Sequence, residues 1–518
     1  MKKIYKLFLM TAIVFGMVAC SNDDVPEAPE SLKGNTYASI EVTLPKTVST
    51  RALPGDYNDI GEWKGIDAIE TVTVFLVGET TVDHTSFSKA NFNGITEAGV
   101  LNPKLAVKAT TGTVKAYVVL NGNEDILTTL KEATASNFAT VYTTEFAKNA
   151  SEVAKNNGEK DVIMMTNTVE PVAVEIKAGV TEEQARIGEV NKIKVDVERV
   201  VSRAIVTVKE GAEKTIQLKS GSGVDASSIT ISDLKYVVGQ SNTKFFLTKK
   251  TTYETPEDLY SFVPSTSTPW TGTYFDNTGL GYASTVEEAE GSAIVANFTT
   301  ALIAEKVNSK FVLPVTHLDD NYRKGNTTYF EVTAIFTPDK VDGVAYTPGS
   351  DVYFLASDGL FYSTRESAEA NGQNATHYKA DGTNGVIMKY VLWLNPDKVP
   401  GATTEKATMS PTVRNQVYHA HITGFKQIGL PNNPLNPDDP NNPQVKDPTD
   451  PGYDPADPTK PKDPTDPGYN PDIPGNENPI NPIKPTDPLQ TEDTYLSVEI
   501  KVLPWGIHSY GINLGNDY

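Results

Sequence analysis

Tyr37-Ala38-Ser39-Ile40-Glu41-Val42-Thr43-Leu44-Pro45 sets Ala38, Ile40, Val42 and Leu44 in alternation with Ser39, Glu41 and Thr43. This is the period-two pattern of a strand with one face in a core. Pro45 ends it, small polar residues follow, and a lone arginine stands at Arg51. Arginine is rare in this chain: Arg186, Arg199, Arg203, Arg323, Arg365 and Arg414 all come much later. A core-facing strand therefore precedes the kind of exposed loop where proteolysis concentrates, and an arginine-specific protease could cut there and spare the folded domains.

The chain before this strand reads as a targeting segment. Lys2, Lys3 and Lys6 form a positive region, and Leu7 to Ala19 is an apolar run too short to span a bilayer comfortably. Met17-Val18-Ala19-Cys20 resembles a bacterial lipobox, with Met17 where leucine is usual, so residues 1–19 are expected to be a signal peptide and Cys20 the lipidated residue. Cys20 is the only cysteine, which rules out a disulfide framework and a cysteine metal site. Ser21-Asn22-Asp23-Asp24 behind it resembles the acidic surface-export signal of Bacteroidetes lipoproteins.

The 518 residues carry a net charge of −21 with no basic patch, which argues against nucleic-acid binding. No second apolar run reaches transmembrane length, so any membrane attachment runs through the precursor lipid.

Most of the body reads as β. Thr71–Val77, Val114–Leu120, Lys192–Val197, Ile229–Val238, Thr328–Phe336 and Val413–Phe425 are rich in β-branched and aromatic residues, with turn clusters such as Asn121-Gly122-Asn123 between them. Short helices are expected at Asn123–Glu132 and Ser284–Glu290. The pattern predicts an all-β chain of two tandem β-sandwich domains with few short helices. A boundary at Glu210-Gly211-Ala212 gives a first domain of residues 52–210 and a second of 211–518.

Residues 431–490 hold about half of the chain's 34 prolines, mixed with Asp and Asn. Lys446-Asp447-Pro448-Thr449-Asp450-Pro451-Gly452-Tyr453 recurs sixteen residues on as Lys462–Tyr469. Such composition favours polyproline II or disorder and predicts a long tether. Proline between the aspartates, and the lack of EF-hand spacing, argue against calcium. Beyond it, Tyr495-Leu496-Ser497-Val498-Glu499-Ile500-Lys501-Val502-Leu503 alternates as Tyr37–Leu44 does, and Trp505, Ile507, Tyr510, Ile512 and Leu514 extend the apolar content.

Chemistry-bearing motifs are few. His419 and His421 would share one strand face, as a two-ligand metal site needs, but no third ligand is identifiable nearby; ordinary surface or sheet-lining histidines are the simpler reading. Gly221-Ser222-Gly223 lacks the strand–turn–helix context of a nucleophile elbow, and no P-loop, HExxH or dinucleotide fingerprint occurs. No enzyme, cofactor or metal is expected.

Several stretches carry a family resemblance: Gly61-Glu62-Trp63-Lys64-Gly65, Tyr117-Val118-Val119-Leu120-Asn121, Val197–Ala204, Arg323-Lys324-Gly325-Asn326-Thr327, Trp393-Leu394-Asn395-Pro396 and Val502–Tyr510. With them the chain resembles the Bacteroidales type V pilins (the fimbrillin family), most closely those of the short, minor fimbria of Porphyromonas. The resemblance implies transthyretin-like sandwiches, export as an outer-membrane lipoprotein, and a propeptide of residues 20–51. It implies cleavage between Arg51 and Ala52 by an arginine-specific protease, which removes the strand bearing Ala38, Ile40, Val42 and Leu44. A C-terminal strand of another copy then fills the groove. The last segment, with Trp505, Ile507, Tyr510, Ile512 and Leu514, is expected to be the donor, while Tyr495–Leu503 stays in its own second domain. Implied partners are further copies of the chain, accessory tip and anchor subunits, the protease, and receptors on host or bacterial surfaces. Two other classes stand beside this: an anchored surface lipoprotein that binds glycan or a partner or acts as an accessory fimbrial subunit, with Trp63, Trp270, Trp393 and Trp505 as sugar-stacking candidates, and a surface hydrolase, for which no clustered site is found.

Overall fold

The computed structural model describes residues 30–32, 34–44, 67–96, 100–156, 160–256, 275–276, 284–289, 309–317, 321–372, 375–395, 409–433, 435 and 489, and the strands 497–502 and 506–514 by their backbone. Cys20, Arg51, Ala52, Trp63, Trp270, Trp505 and the proline-rich repeat lie outside the described residues.

The first domain is built on a ten-stranded sheet. Its strands are β1 (Glu30–Leu32), β2 (Thr36–Thr43), β3 (Thr71–Val77), β4 (Val82–Ser88), β5 (Val100–Leu101), β6 (Val107–Ala109), β7 (Gly112–Leu120), β8 (Met165–Asn167), β9 (Ala173–Ile176) and β10 (Lys192–Arg199). They run in the order β1-β4-β3-β7-β8-β10-β2-β5, with β9 beside β7 and β6 beside β2. Alternation decides which side chains enter the core. Ala38, Ile40 and Val42 of β2 pack with Val72, Val74 and Leu76 of β3, and with Val114, Ala116 and Val118 of β7. The opposite face of β3 and β7 is apolar too. Phe75, Tyr117 and Val119 pack there on Ile126, Leu127 and Leu130 of the helix Glu124–Glu132, with Phe138 and Tyr142. Being buried on both faces is why Thr71–Val77 reads as a nearly continuous apolar run. Asn123 caps that helix by accepting from the Asp125 and Ile126 amides at 3.1 and 3.5 Å.

The second domain is a sandwich of two sheets. One holds β11 (Ser202–Lys209), β14 (Lys310–Val312), β17 (Gln416–Phe425), β18 (Ser497–Val502) and β19 (Gly506–Leu514); the other holds β12 (Thr215–Lys219), β13 (Asp225–Gly239), β15 (Tyr329–Pro338) and β16 (Val386–Trp393). Between them Val206, Val208, Tyr418, Ala420 and Ile422 meet Ile231, Tyr236, Phe330, Val332, Phe336, Met388 and Tyr390. Tyr329 lies so close to Gly239 that a Cβ there would sit 2.5 Å from its ring, so only glycine fits that end of β13.

The chain passes from one sandwich to the other between Arg199 and Ser202, one strand earlier than the expected Glu210–Ala212 boundary. The turn at Gly211 lies inside the second domain, where Ala212 N donates to Lys209 O at 3.0 Å. The sequence signal there was a turn, and turns within a domain look the same as turns between domains.

Of the expected helix Ser284–Glu290, the described residues 284–289 are not helical. Ser284–Thr285 pairs with β13 and Glu287–Ala289 with β11, while Val286 is buried in the second core. Pairing with two sheet edges overrides the helical preference of its acidic residues. The helix Glu182–Ile187 was missed, although Thr181 and Gln184 form its capping box, with Gln184 N donating to Thr181 Oγ1 at 3.2 Å.

The proline-rich segment leaves and returns at one place. Leu435 and Leu489 are both buried in a cluster with Tyr322, Tyr329, Val391 and Trp393. Its two ends are therefore pinned together rather than separated by an extended tether. Trp393 stands edge-on to Tyr329 and is 1% exposed, which removes it from the glycan-stacking candidates.

Candidate functional site

The first site is the groove that holds β2. Gly34 turns the chain into it at φ +88°, with the Ala109 backbone 2.7 Å from where a Cβ would stand. β2 then runs parallel to β10, with Ser39 opposite Lys192 and Thr43 opposite Asp196. On its other side it pairs antiparallel with β6 through Thr36–Ala38 and with β5 through Val42–Thr43. Ala38 and Val42 are fully buried, Ile40 is 3% and Leu44 9% exposed. The four residues read as core-facing from the sequence do face the core.

Polar contacts fix its ends and outer face. Thr36 Oγ1 donates to Lys177 O or Val180 O (3.1 and 3.2 Å) and accepts from Val180 N at 3.0 Å. Asn191, held at φ +56°, donates from Nδ2 to Tyr37 O at 2.9 Å. Glu41 lies between two lysines of β10, 3.2 Å from Lys192 Nζ and 3.3 Å from Lys194 Nζ. Burial opposes ionisation of Glu41, but hydrogen bonds and charge from both lysines outweigh it and hold its pKa below the ordinary carboxylate value.

The second site is the C-terminal hairpin. β19 pairs parallel with β17 from Gln416–Gly506 to Phe425–Leu514, and β18 pairs antiparallel with β19. Ile507, Tyr510, Ile512 and Leu514 thus lie on the strand next to β17. Ser497–Val502, from the run Tyr495–Leu503 expected to stay in its own second domain, forms the outer strand β18 of that domain's sheet. The two tyrosine-led strands of the sequence, near the two ends of the chain, therefore sit in different sandwiches.

A third group lies where the domains meet, and sequence reading missed it. Arg199 forms an ion pair with Asp67 and donates from Nη1 to Asn415 Oδ1 at 2.9 Å. Arg203 pairs with Asp161 and stacks 4.7 Å from the centre of the Phe311 ring. Arg414 reaches back from the second domain. Its Nε lies 3.0 Å from Glu198 Oε1 and donates to Arg199 O at 3.0 Å, Nη1 donates to Leu247 O at 2.9 Å, and Nη2 to Thr166 Oγ1 at 3.0 Å. The available signal was the scarcity of arginine, since three of the few present are spent at this junction.

His419 and His421 are buried, not on the surface: their exposures are 0% and 1%. Both ring nitrogens face Thr207 Oγ1, at 2.7 Å for His419 Nε2 and 2.8 Å for His421 Nδ1. Among the described residues no third His, Cys, Asp or Glu joins them as a metal ligand set. Burial, then the neighbouring His421, pushes His419 well below its ordinary pKa, and burial with the Lys209 charge pushes His421 to about 4. Both are neutral in the folded chain at pH 7. The unfolded chain binds their protons first, so stability is full above about pH 6.5 and falls as pH drops toward 4. His421 alone should contribute a loss of about 3 kcal/mol across that window. Thermal unfolding followed from pH 7.5 to pH 4 should show this fall, and His421→Gln should flatten it.

Residues 383–511 match the family model described as "Major fimbrial subunit protein type IV, Fimbrillin, C-terminal". Two curated proteins of Porphyromonas gingivalis, each named "Minor fimbrium subunit Mfa1", are 31% identical over 538 aligned residues, covering 98% of this chain and 99% of theirs. Among solved structures, a fimbrilin (fimA) of P. gingivalis is 14% identical with a TM-score of 0.35, covering 77% of this chain and 93% of that one. The tip fimbrial protein Mfa3 of P. gingivalis is 11% identical with a TM-score of 0.31, covering 74% and 94%. The protein is thus of the fimbrial structural-subunit class. More particularly, the chain belongs to the fimbrillin family and is a subunit of the minor-fimbrium type.

Proposed function

We propose that this chain is the major, polymerising subunit of a cell-surface fimbrium that supports adhesion to host or bacterial surfaces. It is exported as an outer-membrane lipoprotein through Cys20, and an arginine-specific protease cuts between Arg51 and Ala52. β2 then leaves with the lipid, and a strand from the C-terminal hairpin of another copy takes its place. Tip and anchor subunits complete the fibre.

The observation that carries this reading is the position of β2. It fills a groove between β10 and the β5–β6 edge with four apolar side chains, and its covalent link to the rest of the chain runs through Arg51. Removing it would expose two unpaired sheet edges, a strong template for a new strand. Refilling the groove would recover about 5–9 kcal/mol before ordering costs, at roughly 1.5–3 kcal/mol for each of three larger aliphatic side chains. One copy's head meets another's tail, so the contact is heterologous and grows a filament rather than a closed ring.

The test compares unheated and heated SDS gels of the wild-type chain and Arg51→Ala after arginine-specific proteolysis. A heat-sensitive ladder in wild type alone is expected. A ladder equally strong in Arg51→Ala would separate assembly from processing and overturn the proposal.

A further inference from the structure

We infer that the groove left by β2 takes the strand Ser497–Val502 of a second copy of this chain, in the register that puts Glu499 beside Lys192 and Lys194 and Lys501 beside Asp196. This rests on the strand-exchange reading above and adds to it the donor segment, its register and the residues that set it.

The argument starts from β2 itself. Ser39, Ile40, Glu41, Val42 and Thr43 stand opposite Lys192, Ile193, Lys194, Val195 and Asp196 in a parallel ladder. Ile40, Val42 and Leu44 point into the core, while Glu41 points outward and is gripped by Lys192 and Lys194. In the sequence, Ser39-Ile40-Glu41-Val42-Thr43-Leu44 matches Ser497-Val498-Glu499-Ile500-Lys501-Val502 position for position. The serine and glutamate are identical, and the three inward positions are aliphatic in both. The one change of character is Lys501 in place of Thr43. The residue opposite that position is Asp196, which is exposed. A second copy's strand laid in the track of β2 would keep the glutamate–lysine contacts and gain an opposite charge pair that β2 lacks.

The same charges exclude the wrong registers. A one-residue slip would turn Val498, Ile500 and Val502 away from the core. A two-residue slip keeps them inward but exchanges one attractive contact for a repulsive one in either direction. One sets Glu499 against Asp196, and the other sets Lys501 against Lys194.

Gly506–Leu514 fits the groove less well. It contains no acidic residue to meet Lys192 and Lys194. On a regular strand Trp505 and Ile507 fall on one face and Tyr510, Ile512 and Leu514 on the other, so the five apolar residues cannot enter one core together. Position in the fold agrees. β19 holds the long ladder to β17, whereas β18 is the outermost of the described strands in that sheet and can leave while that ladder stays.

The test uses the full chain, cleaved at Arg51 and allowed to assemble under mild oxidation. Two double variants are compared: Asp196→Cys with Lys501→Cys, and Asp196→Cys with Asn513→Cys. Directly opposed strand positions have the Cα separation a disulfide needs. The first pair is expected to give a heat-resistant, thiol-sensitive ladder, and the second to give none. A charge arm reads the same register: Glu499→Lys should cut assembly about tenfold, through two repulsive cross-strand contacts, and Lys194→Glu in the same chain should recover much of it. A ladder that cross-links through Asn513 and not Lys501, or through neither, overturns the inference and leaves strand exchange standing. A wild-type chain that gives no ladder after cleavage overturns the underlying reading, and this inference with it.

Discussion

Ile40→Ala with Val42→Ala in the uncleaved chain should lower the stability of the first domain by about 4–6 kcal/mol. Both side chains are buried among Val72, Val74, Val118, Ile193 and Val195. Each truncation loses transfer free energy and leaves a cavity that paired strands on both sides cannot collapse into. The two residues share one face two positions apart, so their effects need not add. Denaturant unfolding of the precursor would measure the loss. After arginine-specific cleavage and assembly, the same two substitutions should leave the stability of the fibre unchanged, because strand β2 is no longer part of it. Equal losses in precursor and fibre would mean that β2 stays in place, and the exchange scheme would fail.

Arg414→Ala should cost about 3–5 kcal/mol, more than any exposed ion pair in the chain. Glu198 is 6% exposed, and without Arg414 its nearest cationic partner is Lys249 at 3.7 Å. Burial already raises the Glu198 pKa against the pull of Arg414 and Lys249, so removing Arg414 should push it higher still. The carbonyls of Arg199 and Leu247 and the Thr166 hydroxyl would also lose a donor. Arg414→Lys should not restore the loss, because the three donors of an ammonium radiate from one nitrogen and cannot span acceptors now met by three separate guanidinium nitrogens. Unfolding of the two variants and of the wild type in urea would measure this. A loss below about 1 kcal/mol for Arg414→Ala would show that the junction does not depend on Arg414.

Both effects arise where local pattern and long-range placement meet. Alternation in Tyr37–Leu44 identifies the inward face of β2, and the matching run at Tyr495–Leu503 is visible for the same reason: period two records which face is apolar. It does not record the partner. That β2 pairs in parallel with Lys192–Asp196, about 150 residues on, follows only from the folded sheet. So does the grip of Lys192 and Lys194 on Glu41, although their outward alternation is legible beforehand.

The misreadings have physical causes of the same kind. Ser284–Glu290 has a helical composition, but two sheet edges and the burial of Val286 claim its described residues 284–289 as extended chain. His419 and His421 are a partial case: the sequence leaves a surface and a sheet-lining reading open, and the structure selects the second. Here the outer face of that sheet is itself buried, and a threonine on the neighbouring strand meets both rings.

By itself, then, the sequence determined the all-β class, the two sandwiches, the inward residues of the N-terminal strand and the kinship with fimbrial subunits. These depend on short-range periodicity, turn chemistry and motif, which a linear chain displays directly. Tertiary structure alone decided that the sandwiches join at Arg199–Ser202 and that Asp67, Asp161, Glu198 and Arg414 converge there. It also placed the two ends of the proline-rich segment in one cluster and the last strand beside β17. Each of these is a contact between residues far apart in sequence, fixed by how whole sheets pack and not by any property of the residues' immediate neighbours.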